Sequence, residues 1–492
     1  MSVRVRYAPS PTGLQHIGGI RTALFNYFFA RANKGTFILR IEDTDRERFN
    51  VEALQDLYDT LAWLGIDWDE GPERGGDYGP YVQSERFDLY KEYAQKLVNE
   101  GKAYYCYCTP ERLASLREEQ KKMKSKKQGY DRHCRDLTSE ERAVYEAQGI
   151  KPVVRLRIPL KGKTTFHDAL IGDITRKNTD ISPDPVLLKS DGFPTYHLAN
   201  VVDDHFMHIT HIMRAQEWIP SGPLHILLYE AFGWEPPIYC HLPMVMGKDG
   251  QKLSKRHGST AVRDFREAGY LPEAIVNYIS LLGWSYDDKT EFFTKEELEE
   301  VFSLQKINKA PGVFDYKKLT WFNGQYIRKK SREEIEGLII PYLMKDGVVS
   351  DPITDGEQVI IDRMIPIIHE RLKLISDVSE MTRFLFQDVK TPESEKLIPK
   401  KLDLAKTLEI LRTGRELVAG MEDKDDEELE IEYRAAAKNL DVKLGALMMP
   451  LRIVVSGSSI SPPLFASFRL LGREKTLDRL DRAIIQITQE VA

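Results

Sequence analysis

The chain has 492 residues, of which 42% are hydrophobic and 30% charged, with a formal net charge of −6 from 70 basic and 76 acidic side chains. That length calls for two to four domains of ordinary globular composition. The charge balance excludes a uniformly basic nucleic-acid coat and leaves only local clusters to argue for such a partner.

No apolar run approaches the roughly 20 residues of a membrane span. The N-terminus goes straight into a strand without signal-peptide layout, which predicts a cytosolic (cytoplasmic) protein. In that compartment the four cysteines read as thiols or metal ligands rather than disulfides.

Val3, Val5 and Tyr7 alternate with Ser2, Arg4 and Arg6, the period of a short strand, and Ile20, Leu24, Tyr27 and Phe28 then recur at helical spacing. Between them, Pro9-Ser-Pro-Thr-Gly13 and His16-Ile-Gly-Gly19 make a rigid turn into a helix N-terminus. Exposed N–H groups and the positive helix end favour an anion there. An ordinary strand–loop–helix connection shares this outline, but a plain backbone cradle does not need the histidine. Residues 36–41 are nearly continuously apolar, as in a buried parallel strand, and complete a right-handed βαβ unit. Ligands of such a unit bind beyond the carboxyl ends of its strands. The second strand runs out into Glu42-Asp43-Thr44-Asp45, which is either helix-capping surface or, beside a phosphate loop, a receiver for an ammonium group or a ribose. A helix is predicted from about 51 to 64.

Another amphipathic helix spans 85–101, and Thr109 and Pro110 then provide the N-cap and first position of the next. Three cysteines, Cys106, Cys108 and Cys134, cluster around this helix. Cys-x-Cys followed by Cys-x-Asp predicts one tetrahedral zinc held by Cys106, Cys108, Cys134 and Asp136, with His133 as the competing fourth ligand. Buried unligated thiols are the other reading, and the lone Cys240 is assigned to the core. Arg117, Lys121, Lys122, Lys124, Lys126, Lys127, Arg132 and Arg135 form a basic run that either faces phosphates or is simply solvated. Thr138 and Glu141 make a capping box, and β character resumes over 153–188, so an α/β insert interrupts the first domain.

After the turn at Asp191-Gly192, residues 208–214 alternate like a strand that exits through Arg214, Glu217 and Trp218. The segment 247–258 places Lys248, Lys252, Lys255 and Arg256 in a glycine-containing loop able to close over a polyphosphate. Ser331 and Glu334 form a capping box, and helical patterns continue at 357–376, 403–420, 426–445 and 474–490 with no comparable run of strands.

Taken together, Pro9–Gly13 with His16–Gly19 resembles the first signature of class I aminoacyl-tRNA synthetases, and Lys252-Leu-Ser-Lys-Arg256 resembles the second. Arg40–Asp45, Tyr196–Asn200, Val201–Asp204 and Arg214–Trp218 narrow the resemblance to bacterial-type glutamyl-tRNA synthetases, and it continues through 271–284 to 444–452 and 471–474. It implies ATP-dependent activation of L-glutamate to an adenylate with loss of diphosphate, followed by transfer to the terminal adenosine of tRNA(Glu), with tRNA(Gln) left open as a second acceptor.

By the same resemblance, His16, Lys255 and Lys252 are catalytic. The ATP side comprises Pro9, Thr12, Gly13, His16, Gly18, Gly19, Glu217, Lys252, Ser254, Lys255 and Arg256, with Mg²⁺ accompanying the nucleotide. The glutamate pocket comprises Arg6, Ala8, Ser10, Glu42, Tyr196, Asn200, Arg214 and Trp218. Glu42 suits the ammonium and Arg214 the side-chain carboxylate.

The expected fold class is α/β. A Rossmann-like parallel-sheet catalytic domain occupies 1–100 and 190–250, and an α/β zinc-bearing insertion occupies 101–189. A helical stem-contact region at 251–330 and an all-α anticodon-binding region at 331–492 follow, in a monomer. Arg371 is a candidate anticodon contact. A glutaminyl enzyme is opposed by the helical tail and by Arg214, and a non-catalytic tRNA-binding paralogue by the intact His16 and Lys255.

Overall fold

A computed structural model describes residues 2–124 and 128–491, so Lys126 and Lys127 of the basic run lie outside the described residues. The chain divides into two compact units, Met1–Asp264 with Ile275–Asp315, and Phe265–Ala274 with Tyr316–Ala492.

In the first unit, β1 (Arg4–Tyr7) leads into α1 (Ile17–Ala32), which returns the chain to β2 (Thr36–Leu39). The two strands pair in parallel with Val5 opposite Phe37, giving the predicted βαβ unit. Asn50 caps α2 (Val51–Trp63) through its side chain, and α3 (Phe87–Asn99) follows. The insertion begins at β3 (Ala103–Cys106). Its helix α4 (Pro110–Lys122) opens on Thr109, and α5 (Ser139–Ala147) opens on the Thr138–Glu141 capping box, both as predicted. Strands β4 (Val153–Leu156), β5 (Lys163–Asp168), β6 (Gly172–Lys177) and β7 (Val186–Leu188) come next. Helix α6 (Tyr196–Phe206), β8 (His211–Ala215), α7 (Gly222–Phe232) and β9 (Ile238–Leu242) complete the elements that surround the site.

Strands β3, β4 and β7 form an antiparallel sheet of the insertion. The hairpin β5–β6 takes another course. β5 pairs in parallel with β9, which pairs in parallel with β8. The backbone N–H of Thr210, just before β8, donates to the Arg4 carbonyl of β1 at 2.9 Å. Residues 163–177, read from sequence as insertion, are therefore built into the catalytic sheet. The reason is visible in β5, where Thr164, Phe166 and Asp168 are buried and Lys163, Thr165 and His167 exposed. Phe166 packs with Ile38, Ile212 and Tyr239. A period-2 pattern shows that a strand has one buried face but not which sheet supplies the cover. Behind the sheet, α3, α6 and α7 pack through Tyr90, Leu97, Leu198, Val202, Leu228 and Phe232.

The predicted stem-contact region 251–330 is shared between the units, with 275–315 packing in the first and 265–274 and 316–330 in the second. Among the described residues the second unit is entirely helical from Tyr316–Arg328 to Arg473–Val491. Ser331 with Glu334, Thr354 with Glu357, and Asp425 with Glu428 close capping boxes that start three of its helices. The predicted helix 426–445 breaks after Asn439, where Asp441 adopts φ +53°, and a separate helix starts at Leu444. One continuous core runs through Ile339, Ile365, Leu411, Leu451, Leu480 and Ile487. Gly414 is required there, because a Cβ would collide with the Leu451 side chain of the crossing helix. Among the described residues no helix is long and apolar enough to cross a membrane.

Candidate active site

A cleft of about 910 Å³ opens at the carboxyl ends of β1, β2, β8 and β9, the side on which βαβ units hold their ligands. Of the predicted ATP and glutamate residues, all except Pro9 and Arg256 line it. Pro9 supports the wall from behind, its carbonyl accepting the Glu42 N–H at 3.0 Å. Arg256 instead pairs with Asp249 at 3.4 Å.

His16 is the N-cap of α1, and its Nδ1 accepts the Gly19 backbone N–H at 3.1 Å. That bond puts the ring proton on Nε2. Burial, reinforced by the Lys252 charge, lowers the imidazole's pKa, so His16 is a neutral ring able to donate from Nε2 beside the positive helix end. The paired glycines have a local cause. A Cβ at Gly18 would stand 3.3 Å from the His16 ring, and one at Gly19 would stand 3.1 Å from the Tyr7 hydroxyl. Any side chain at either position would crowd the histidine turn.

On the opposite side the cleft is floored by buried charges. Arg6 forks onto Asp204, Nε to Oδ1 at 3.0 Å and Nη2 to Oδ2 at 3.2 Å, while Arg40 Nη1 meets the same Oδ1 at 2.7 Å. Burial alone would raise the Asp204 carboxyl, but the Arg6 and Arg40 guanidinium groups overcome it and hold the pKa below the usual carboxylate range. Arg40 also reaches Glu42 at 3.1 Å. For Glu42 the balance falls the other way, since burial outweighs the arginines and its carboxyl is pushed up. Such a group gains from a nearby cation.

Arg214, at the end of β8, is buried and lines the cleft with Tyr196 and Trp218. Its Nη1 donates to the Tyr196 hydroxyl at 3.2 Å and its Nη2 to the Trp218 carbonyl at 3.4 Å. Among the described residues its hydrogen-bond partners carry no carboxylate. Across the cleft, the second basic loop forms a tight hairpin. Met246 bridges Lys252, Leu253 N–H bonds the Val245 carbonyl at 2.9 Å, and His257 is tied to Asp249 at 3.0 Å. Lys252 pairs with Glu217, and Lys255 lines the cleft with its side chain exposed.

The sulfur atoms of Cys106, Cys108 and Cys134 lie within 4.8 Å of one another, with Cys108 and Cys134 at 3.5 Å. Four ligands at about 2.3 Å from zinc stand about 3.8 Å apart, so this set fits a tetrahedral ion. Asp136 does not join them. Its carboxylate pairs with Arg157 at 2.8 Å and is largely exposed. Tyr130 could supply a fourth ligand, since its hydroxyl stands 3.3 Å from Cys106 Sγ and 3.9 Å from Cys108 Sγ and accepts the Cys134 backbone N–H at 2.9 Å. A tyrosine four residues before a cysteine carries no metal signal in sequence, so Tyr130 emerges as a candidate only in the fold. Arg132 and Arg135 of the basic run are also reassigned, since both bind the buried carboxylate of Asp184, at 3.2 and 2.7 Å. The apolar segment from Leu242 to Val245 lines the cleft too, and an uncharged stretch after a strand offered nothing to flag it.

Comparison with known proteins agrees with this geometry. Residues 2–321 match the family described as tRNA synthetases class I (E and Q), catalytic domain, and residues 335–484 match an anticodon binding domain. The glutamate–tRNA ligase of Borreliella burgdorferi is 56% identical over 483 residues, covering 98% of this chain and 98% of that protein. The glutamate–tRNA ligase of Treponema denticola is 52% identical over 505 residues, covering 99% of this chain and 100% of its own. A crystal structure of a glutamate tRNA ligase from Elizabethkingia meningosepticum, in complex with its amino acid, superposes with a TM-score of 0.82 at 34% identity, covering 99% of this chain and 100% of that one.

Proposed function

Because the chain belongs to the class I tRNA synthetases of the glutamate and glutamine type, we propose that it acts as a glutamate–tRNA ligase, joining L-glutamate to the 3′-terminal adenosine of tRNA(Glu) at the cleft. The observation that carries the choice of glutamate is Arg214, a buried guanidinium on the cleft wall whose partners leave its charge for a ligand. The substrate's side-chain carboxylate pairs with it in a charge-assisted fork, and the raised Glu42 carboxyl receives the ammonium.

These two anchors leave the α-carboxylate to attack the α-phosphorus of ATP. The new P–O bond forms the adenylate and diphosphate departs with the electrons of the broken bond. His16 and the N–H groups at the start of α1 stabilise the departing charge from one side, and Lys255, with Lys252, from the loop side. Thr12, Gly13 and Ser254 complete the nucleotide wall, and Mg²⁺ enters with the phosphates. In the second step a ribose hydroxyl of the terminal adenosine attacks the glutamyl carbonyl and AMP leaves. A site that pairs a carboxylate rejects the amide by leaving Arg214 uncompensated.

The second unit, which carries the anticodon-domain match, reads the tRNA, with the exposed Arg371 as a candidate anticodon contact. One structural zinc, held by Cys106, Cys108, Cys134 and Tyr130, would bind the start of α4 to the turn at 130–136. The resemblance to bacterial-type glutamyl-tRNA synthetases further implies a cytoplasmic monomer. Charging of tRNA(Glu) and tRNA(Gln) transcripts with labelled glutamate and ATP tests the reading. ATP-dependent charging of tRNA(Glu) is expected, and its absence would refute it.

A further inference from the structure

Arg214 is held from behind the cleft wall by groups without negative charge. Its Nε–H donates to His241 Nε2 at 3.1 Å, and its Nη1 lies 3.4 Å from His225 Nδ1. Neither imidazole lines the cleft, whereas Arg214, Tyr196 and Trp218 do. His241 Nδ1 stands 2.7 Å from Asp168 Oδ2. An ionised carboxylate only accepts, so the ring proton sits on Nδ1 and a lone pair faces Arg214. Asp168 is fully buried on β5 and is fixed in turn by the backbone N–H groups of Leu170, Ile171 and His241 at 2.9, 3.0 and 2.9 Å.

On the other flank His225 Nε2 lies 3.0 Å from His197 Nδ1. His225 therefore donates from Nε2 and accepts at Nδ1. Burial and then the Arg214 charge lower His197 to about 4 and His225 well below its usual value. Burial also lowers His241, against the pull of Asp168. All three rings are neutral near pH 7.

We infer that Asp168, His241, His225 and His197 are positioning residues for Arg214, fixing its guanidinium through neutral acceptors so that its charge is kept for the substrate's side-chain carboxylate. A carboxylate in place of either imidazole would hold the arginine equally well but would compete with that ligand. This inference rests on the reading that Arg214 receives the glutamate side chain. It explains why the β5–β6 hairpin belongs to the catalytic sheet, since that placement brings Asp168 beneath β9.

The test compares His241→Leu, His241→Gln and Asp168→Asn in tRNA(Glu) charging, with KM measured separately for glutamate and ATP. Losing one hydrogen bond to a charged group raises the glutamate KM about 10-fold or more, with the ATP KM within about two-fold of wild type. His241→Gln, whose amide oxygen reaches the Nε2 position, returns the glutamate KM to within about three-fold. Asp168→Asn frees His241 to protonate at Nε2, which then opposes the Arg214 N–H and raises the glutamate KM in the same selective way. An unchanged glutamate KM in His241→Leu, a parallel rise in both KM values, or no rescue by glutamine would overturn the inference. Should His241→Leu fail to fold, Asp168→Asn decides by the same split. A wild-type chain that does not charge tRNA(Glu) with glutamate would instead defeat the ligase reading.

Discussion

Replacing Asp204 with asparagine removes the charge at the point where two arginines converge beneath the cleft. Asp204 is fully buried and takes three contacts of 2.7 to 3.2 Å from Arg6 and Arg40. Removing one partner of a buried ion pair costs about 3–5 kcal/mol, here by taking one counter-charge from Arg6 and Arg40 in a dry site, while Arg40 keeps Glu42 at 3.1 Å. For a unit of this size, at roughly 2 °C per kcal/mol, the melting transition of the first unit should fall by about 6–10 °C at pH 7 in scanning calorimetry. The pH dependence has a definite sign. The folded carboxyl lies below its ordinary value of 3.8, so its contribution is present above that value and is lost as the pH falls through the folded pKa. Wild type and variant should therefore converge in acid. A melting shift smaller than about 2 °C at pH 7 would show that the arginines find other compensation, and that the cleft floor does not depend on Asp204 as a charge network.

Other consequences are equally direct. Lys255→Ala should slow single-turnover adenylate formation by about 100-fold or more, as for loss of one transition-state contact, while tRNA(Glu) affinity stays unchanged; an unaltered rate would refute the role. Since burial raises Glu42 above its ordinary 4.5, a bound ammonium should pull it back down, so the glutamate KM should rise as the pH is lowered, beginning above 4.5. Glu42→Gln should flatten that profile, and an equally steep profile in the variant would assign the effect elsewhere. For the metal, elemental analysis should find about one zinc per chain in wild type, none in Cys106→Ser, easier loss to a chelator in Tyr130→Phe, and no change in Asp136→Asn. Equal zinc in wild type and Cys106→Ser would dispose of the site.

What could be read from sequence was whatever depended on neighbours along the chain. The turn from Pro9 to Gly19 is local, and so are the caps at Thr109, Thr138 and Ser331, all of which the structure keeps. Arg214 stands at a charged strand exit that is legible in the sequence, and its role as a carboxylate partner follows from the resemblance to the synthetase family. The features that escaped depend on partners distant in sequence. Asp168 looks like an ordinary strand-end aspartate until β5 is laid beside β9, which brings it to His241 73 residues away. Tyr130 looks like a loop aromatic until its hydroxyl meets Cys106 24 residues earlier. Sequence spacing points to Asp136 as a ligand, but in the fold its carboxylate pairs with Arg157. Even the break at Asp441 turns on a single backbone angle within an otherwise helical pattern.

Selection of a carboxylate side chain by Arg214 is the property on which the proposed function turns. It is tested most directly by measuring kcat/KM for glutamate and for glutamine in tRNA(Glu) charging by the same preparation. A site whose polar partner is left unpaired by the wrong ligand should favour glutamate by about 10⁴-fold or more. Comparable values for the two amino acids, or a preference for glutamine, would contradict it.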